Sequence, residues 1–195
     1  MGCAVRVLCL SGGLDSAVAL LSEPGAYDLA LSFDYGQPRA GCAEPPELTA
    51  ARLIADRAGV PHEIVTVQFG AVLSAGLLGG NVATAADSVV PGRNALFVAL
   101  CAMRGATTVA MGCNADDQAA YVDCRADVLR AVGVACGVDV SLPLVELHKP
   151  QIRDLAAVHQ LGAGDTVTCY RGTGCGVCAA CRLLSGKGGG LSQSG

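Results

Sequence analysis

The stretch VRVLCLSGGLDSAVAL, residues 5–20, runs from a continuous apolar segment through a glycine pair directly into a helix-forming segment. An unbroken apolar run ending at turn residues reads as a strand buried on both faces, the habit of parallel sheets whose faces are covered by helices. The glycines end the strand, and the alanine- and leucine-rich run after Ser16 starts a helix. This is the opening of a β-loop-α unit, and the rest of the chain repeats it.

DLALSF at 28–33 precedes PELTAARLIADRAG, whose apolar spacing near 3.6 residues marks a surface helix. EIVTVQF at 63–69, NALFVALCAMRGA at 94–106, TTVAMGC at 107–113, a helix from about Arg125 to Cys136, VSLPLV at 140–145 and PQIRDLAAVHQLG continue the rhythm. Five strands separated by helices predict an α/β, Rossmann-like parallel five-stranded sheet with helices on both faces. Right-handed crossovers then place ligands in the crevice at the carboxyl ends of the strands, where strand order reverses. The motifs just after strands should carry the chemistry.

Composition bounds the function. The 195 residues are one domain's worth, read as a single unit over 1–195, with 52% hydrophobic and 15% charged residues, too apolar for disorder. No apolar run approaches the ~20 residues of a membrane span. A net charge of −4 gives no positive field for a phosphodiester backbone, so neither a membrane nor duplex nucleic acid is the expected partner. The amino-terminal apolar run is too short for an export signal and lacks a small-residue cleavage pattern. Eleven cysteines, an odd number scattered through apolar segments, fit a reduced, cytoplasmic protein better than a disulfide framework. The Gly-, Ala- and Ser-rich segment 70–92 reads as a mobile loop over the site, and 186–195 as a flexible tail.

In the loop SGGLDS, two glycines allow close backbone approach to a phosphate. Ser11, Ser16 and the amides opening the helix can donate to an anion favoured by the helix dipole. Asp15 makes sense there as a holder of magnesium bridging phosphates, or as a cap. An isolated SGG would also serve as a plain capped turn. The full string SGGxDS after a first strand resembles the PP-loop of N-type ATP pyrophosphatases, which transfer AMP onto carboxylates or amides. No GKS or GKT follows, so this is not a loop for γ-phosphoryl transfer.

Four further sites follow strands. Asp34, Tyr35, Gly36 and Gln37 lie where an adenosine along the crevice would meet them. Arg93 opens a helix, where a cation is disfavoured unless an anion is near, and Asn94 follows it. Asn114, Asp116, Asp117, Tyr121, Asp123 and Arg125 form a dense polar set. Its acids can bind magnesium or accept from a purine-like base, its tyrosine can stack, and its arginine can clamp a carboxylate; as a plainer alternative the set caps the next helix. Lys149 can offset charge on a transferring phosphoryl group, whereas His62, His148 and His159 read as structural or solvated.

Cys169, Cys175, Cys178 and Cys181 read C-x5-C-x2-C-x2-C within a segment spanning 166–184. Four thiolates in a closed tetrahedron fit a structural zinc that fastens the carboxyl-terminal segment; overlapping CxxC steps are also a pattern of iron–sulfur ligation. The other cysteines read as small core hydrophobes.

SGGLDS, FDYGQ, PGRN, GCNADD with YVDCR, SLPLVELHKPQI and TCYRGTGCGVCAAC, in that order over residues 5–182, resemble the 7-cyano-7-deazaguanine synthase family of queuosine and deazaguanine biosynthesis. The resemblance implies an adenine nucleotide alpha hydrolase-like fold. It also implies conversion of 7-carboxy-7-deazaguanine and ammonia to the nitrile with ATP and Mg2+, one Zn2+ on the four cysteines, and a homodimer. By that likeness ATP is held by Leu10, Ser11, Gly12, Gly13, Leu14, Asp15, Ser16, Ala17, Val18, Ala19 and Leu20, with residues 34–37. Asp15, Ser16, Arg93 and Lys149 carry the catalysis, and Arg93, Asn94 and the polar set from Asn114 to Arg125 meet the substrate. Pro38-Arg39-Ala40-Gly41-Cys42 departs from the basic pair and glutamate that usually follow FDYGQ. Two rival readings are another adenylating PP-loop enzyme, for tRNA thiolation or amide synthesis, and a nucleotide- or deazaguanine-binding interaction protein. Release of AMP separates an enzyme from a binding module.

Overall fold

A computed structural model describes residues 4–68, 90–162, 164–169, 172, 174–176, 178 and 181. The expected tail and most of the 70–92 loop lie outside them. Five parallel strands, β1 (Arg6–Cys9), β2 (Leu29–Asp34), β3 (His62–Thr66), β4 (Thr108–Ala110) and β5 (Asp139–Ser141), pair in the order β3-β2-β1-β4-β5. The chain winds outward from β1 in one direction and returns to its other side at β4, so the order reverses between β1 and β4. The helices are α1 (Leu14–Ser22), α2 (Pro46–Ala58), α3 (Arg93–Met103), α4 (Ala115–Ala120), α5 (Ala126–Cys136) and α6 (Lys149–Val158), with a 3-10 turn at Val122–Cys124.

Alternation along the strands builds two cores. Leu8, Leu10, Ala30 and Ala110 point to one face, where Val18 and Leu20 of α1, Ile54 of α2 and Ile152 of α6 cover them. Val7, Cys9, Leu31, Phe33 and Val109 point to the other, against Phe97, Val98 and Cys101 of α3 and Leu129 of α5. Both faces are therefore covered, as the continuous apolar strands predict. Fully burying each such leucine or valine contributes about 1.5–3 kcal/mol.

Several elements are shorter than the sequence predicts. TTVAMGC yields only Thr108–Ala110 as ladder, because the chain beyond must lie against α1: a Cβ on Gly112 would sit 2.9 Å from the Ser16 backbone nitrogen. VSLPLV likewise pairs only through Ser141. The final helix starts at Lys149 and ends at Val158, and Arg125 is the residue before α5 rather than within it. α4 has six residues and no buried apolar stripe, so no periodicity marks it.

Candidate active site at the β1/β4 crevice

The glycine loop leaves β1 at the reversal point and is braced from within. The Ser11 backbone N–H donates to Ser16 Oγ at 3.1 Å, the two serine hydroxyls are 2.9 Å apart, Gly13 N–H donates to Ser11 Oγ at 3.2 Å, and Ser16 Oγ donates to the Gly13 carbonyl at 3.1 Å. Ser16 is buried; its hydroxyl shapes the loop. Gly13 caps α1 without a side-chain hydrogen bond, so Asp15 is not the cap. Gly12 has φ +78°, and a Cβ there would fall 1.9 Å from the Glu47 carbonyl oxygen, so glycine is required both by dihedral and by contact with α2.

Two features absent from the sequence reading hold this loop. Ser32, fully buried on β2, donates to the Leu10 carbonyl at 2.5 Å. Its one proton being spent there, it accepts from His62 Nε2 at 2.7 Å, and burial lowers the imidazole pKa. On the outer side Val167 N–H donates to the Gly12 carbonyl at 2.9 Å, laying the carboxyl-terminal segment along the loop. His159 meets Ser22 Oγ at 3.1 Å, so all three histidines have structural partners once His148 is added below.

Lys149, first residue of α6, reaches this loop: Nζ lies 2.6 Å from Asp15 Oδ2 and 3.6 Å from Asp117 Oδ1. Burial alone would lower the lysine pKa, but the Asp15 and Asp117 carboxylates outweigh it and hold the ammonium above its usual value. Asp117 is pushed up to about 6, chiefly by burial, with Asp15 adding repulsion and Lys149 pulling back. Asp15 Oδ1 is buried and without a hydrogen-bond partner among the described residues. A buried, unpartnered carboxylate oxygen beside a phosphate-type loop fits a hard divalent cation, so the donor set suits magnesium.

The polar set after β4 is mostly occupied in building this corner. Asn114, fully buried, caps α4 by accepting from Asp116 and Asp117 N–H at 3.0 Å, and its amide donates to Asp117 Oδ2 at 2.6 Å. Asp116 accepts from Lys149 N–H at 2.8 Å and meets His148 Nδ1 at 2.8 Å, which ties α4 to α6 and lowers its pKa through those two bonds. Tyr121 and Asp123 are half-buried around the 3-10 turn; Asn94 of α3 is buried and donates to the Asp123 carbonyl at 3.1 Å. Arg125 is exposed and paired with Asp127 at 2.7 Å.

A second cluster forms beyond β2. Gln37 Oε1 accepts from Tyr35 N–H at 2.8 Å while its amide donates to the Phe33 carbonyl at 2.9 Å and to Glu47 Oε1 at 2.7 Å. Asp34 pairs with Arg39 at 2.9 Å, and Gly36 N–H donates to its Oδ1 at 3.3 Å. Burial raises the Glu47 pKa against the opposing pull of Gln37 and Arg93. Arg93 is not a solvated helix-start cation: Nη1 donates to Tyr35 Oη at 3.4 Å and its guanidinium lies 5.8 and 6.0 Å from the Tyr35 and Phe97 rings. Its Nε is buried with no partner among the described residues. The structure thus brings Asp15, Asp117 and Lys149 together, keeps the Ser16 hydroxyl within the glycine loop, and pairs Arg93 with Tyr35 in a second group.

Cys169, Cys175, Cys178 and Cys181 place their Sγ atoms within 4.8 Å of one another. Cys175 N–H donates to Cys169 Sγ at 3.3 Å and Cys178 N–H to Cys175 Sγ at 3.4 Å. The four can hold a metal ion. The segment packs inward, for a Cβ on Gly172 would lie 3.1 Å from Pro46 at the start of α2.

The family model for queuosine biosynthesis protein QueC matches residues 5–187. The chain belongs to the QueC family. Its relatives include the 7-cyano-7-deazaguanine synthase of Acinetobacter baylyi, 33% identical over 204 residues, covering 91% of this chain and 87% of that one. The 7-cyano-7-deazaguanine synthase of Novosphingobium aromaticivorans is 36% identical over 212 residues, 92% and 87% of the two chains. Among solved structures, NMN synthetase from Francisella tularensis superposes with a TM-score of 0.57 at 18% identity over 96% of this chain and 79% of that chain, a likeness of fold. The QueC matches span the glycine loop, the β4 corner and the four cysteines alike. No helix among the described residues is long and apolar enough to cross a membrane.

Proposed function

We propose that this QueC-family chain is an ATP-dependent carbon–nitrogen ligase that converts 7-carboxy-7-deazaguanine and ammonia to 7-cyano-7-deazaguanine. The observation that carries the reading is the meeting of α1 and α4, through Asp15 and Asp117, at Lys149 of α6 beside a glycine loop, in a chain whose relatives at 33–36% identity are named for that product.

A carboxylate resists ammonia until one oxygen becomes part of a good leaving group. Attack of that oxygen on the α-phosphorus forms a C–O–P linkage and expels pyrophosphate. Ammonia then forms the C–N bond as AMP departs with the oxygen. The resulting amide repeats the sequence: its oxygen takes AMP from a second ATP, pyrophosphate leaves, and loss of AMP and protons gives the nitrile. Both acyl donors have nearly one shape, so one pocket serves both steps. The chain's own part is to place the α-phosphate at the amides of residues 12–16 and to hold Lys149 where negative charge grows, with Arg93 a further cation at the crevice. Asp15 and Asp117 would hold Mg2+, which supplies charge neutralisation on the phosphates. No protein nucleophile is required.

The metal on the four cysteines is proposed to be Zn2+. A Zn–S length of about 2.3 Å sets thiolates roughly 3.8 Å apart in a tetrahedron, the scale of the cluster here. An iron–sulfur cube interposed between thiolates would spread them further. Four cysteines leave no open coordination position, so the ion fastens the segment that lies on Gly12. A cytoplasmic homodimer completes the proposal; light scattering should return about 39 kDa, twice the 19.5 kDa chain. Incubation of the purified protein with ATP, ammonia and 7-carboxy-7-deazaguanine, followed by mass spectrometry, tests the reading. Nitrile and AMP are expected; nucleotide binding without AMP release would instead indicate a binding module.

A further inference from the structure

We propose that the heterocyclic acid is seated in the cavity between α6 and the cysteine segment, rather than on the polar stretch that follows β4. The inference rests on the reaction proposed above and adds the place of its acyl substrate.

The cavity holds about 670 Å³, within the roughly 300–1,000 Å³ of small-molecule sites. Ala156, Ala157 and Leu161 form one side, Leu14 the inner end, and the chain from Thr166 to Cys169 the other side. Its position is what the chemistry needs. Leu14 follows Gly13 directly, and the opposite side is pinned to the glycine loop by the 2.9 Å bond from Val167 N–H to the Gly12 carbonyl. A Cβ on Gly13 would stand 3.7 Å from the Val167 carbonyl oxygen, so the loop and the cavity side are in van der Waals contact. A ligand filling this space therefore ends beside the amides that would hold the α-phosphate, and a near-attack arrangement needs reacting atoms about 3–3.5 Å apart.

The lining suits a flat heteroaromatic acid. Small and apolar side chains suit the ring faces, and Thr166 and Thr168 on the same lining are polar side chains of the kind that meet exocyclic groups. The stretch after β4 is less available. Asn114 is buried as a cap, Asp116 binds the start of α6, and Arg125 is paired at the surface. Cys169 and Cys181 border the cavity, so the metal site holds one side of it in place without offering a coordination position to the acid.

Ala157 lines the cavity yet is exposed on α6, so enlarging it fills the space without disturbing the core. Ala157→Phe should raise KM for 7-carboxy-7-deazaguanine at least tenfold while KM for ATP, kcat at saturation and bound metal stay within twofold. Val158→Phe, at an exposed neighbour that does not line the cavity, should leave every constant unchanged. If Ala157→Phe loses metal, the smaller Ala157→Leu is judged by the same criterion. An unaltered KM for the acid, or equal weakening toward acid and ATP, overturns the assignment. Should the wild-type protein form no nitrile, the reaction reading fails, and equilibrium dialysis of the acid then decides the cavity alone. Binding that Ala157→Phe weakens supports it, and equal or absent binding to both proteins overturns it.

Discussion

Lys149 Nζ lies 2.6 Å from Asp15 Oδ2, a contact that spans 134 residues and joins the first residue of α6 to the second of α1. Both side chains are only about a quarter exposed (28% and 27%), so Lys149 is the largely buried counter-charge that lets Asp15 and Asp117 share one corner. We predict that Lys149→Met lowers kcat by about 10²–10³-fold and destabilises the fold by about 1–3 kcal/mol at pH 8, where both carboxylates are left without their cation. Steady-state AMP release and urea melts check the two halves separately.

Asp15→Asn should abolish AMP formation while metal content stays at one ion per chain, because the four cysteines lie on a separate segment. Elemental analysis beside an AMP assay is the measurement. Unchanged turnover would remove the role given to Asp15.

Asp117 carries a pH prediction. Its folded pKa of about 6 stands above the ordinary 3.8, so the folded state holds the proton more tightly than the unfolded chain does. The stability this contributes is fully present below pH 4 and is lost as pH rises through 6. Asp117→Asn should therefore raise stability by roughly 1–3 kcal/mol at pH 8 and by little at pH 4. Thermal melts across that range without magnesium check it.

Much of this arrangement is legible in the sequence, and the part that is not has a common cause. The strands announce themselves because burial on both faces writes continuous apolar runs such as VRVLCL, and the glycine loop because few residues tolerate its dihedrals. α4 is missed since ADDQAA buries no stripe and so shows no period. His62 reads as structural or solvated and proves structural, but Ser32 is missed, since a lone polar residue in an apolar strand gives no hint that it serves the Leu10 carbonyl. Glu47 goes unread because an acid in the first turn of α2 gives no sign that its partner is Gln37, ten residues earlier. The contact of Val167 with Gly12 joins segments far apart in the chain, and no local pattern encodes it.

Gly12→Ala would press a methyl group into the Glu47 carbonyl and force alanine to φ +78°. A destabilisation of about 2–4 kcal/mol is expected, with loss of nucleotide binding at temperatures where the protein remains folded. Calorimetry with and without ATP separates the effects.

Cys178→Ser, at a fully buried ligand position, should release the metal and free the segment that lies on Gly12. Activity should fall more than about 10²-fold while far-UV circular dichroism keeps the signature of the sheet and helices, since the two main cores do not include the cysteine cluster. Loss of the whole spectrum would show that the metal holds the fold and not only the site wall.

The fate of the carboxylate oxygens tests the central chemistry most directly. With 7-carboxy-7-deazaguanine labelled by 18O at both carboxyl oxygens, the account predicts two molecules of AMP per nitrile, each carrying one 18O, and unlabelled pyrophosphate. Label appearing in orthophosphate, or ADP as the nucleotide product, would contradict it.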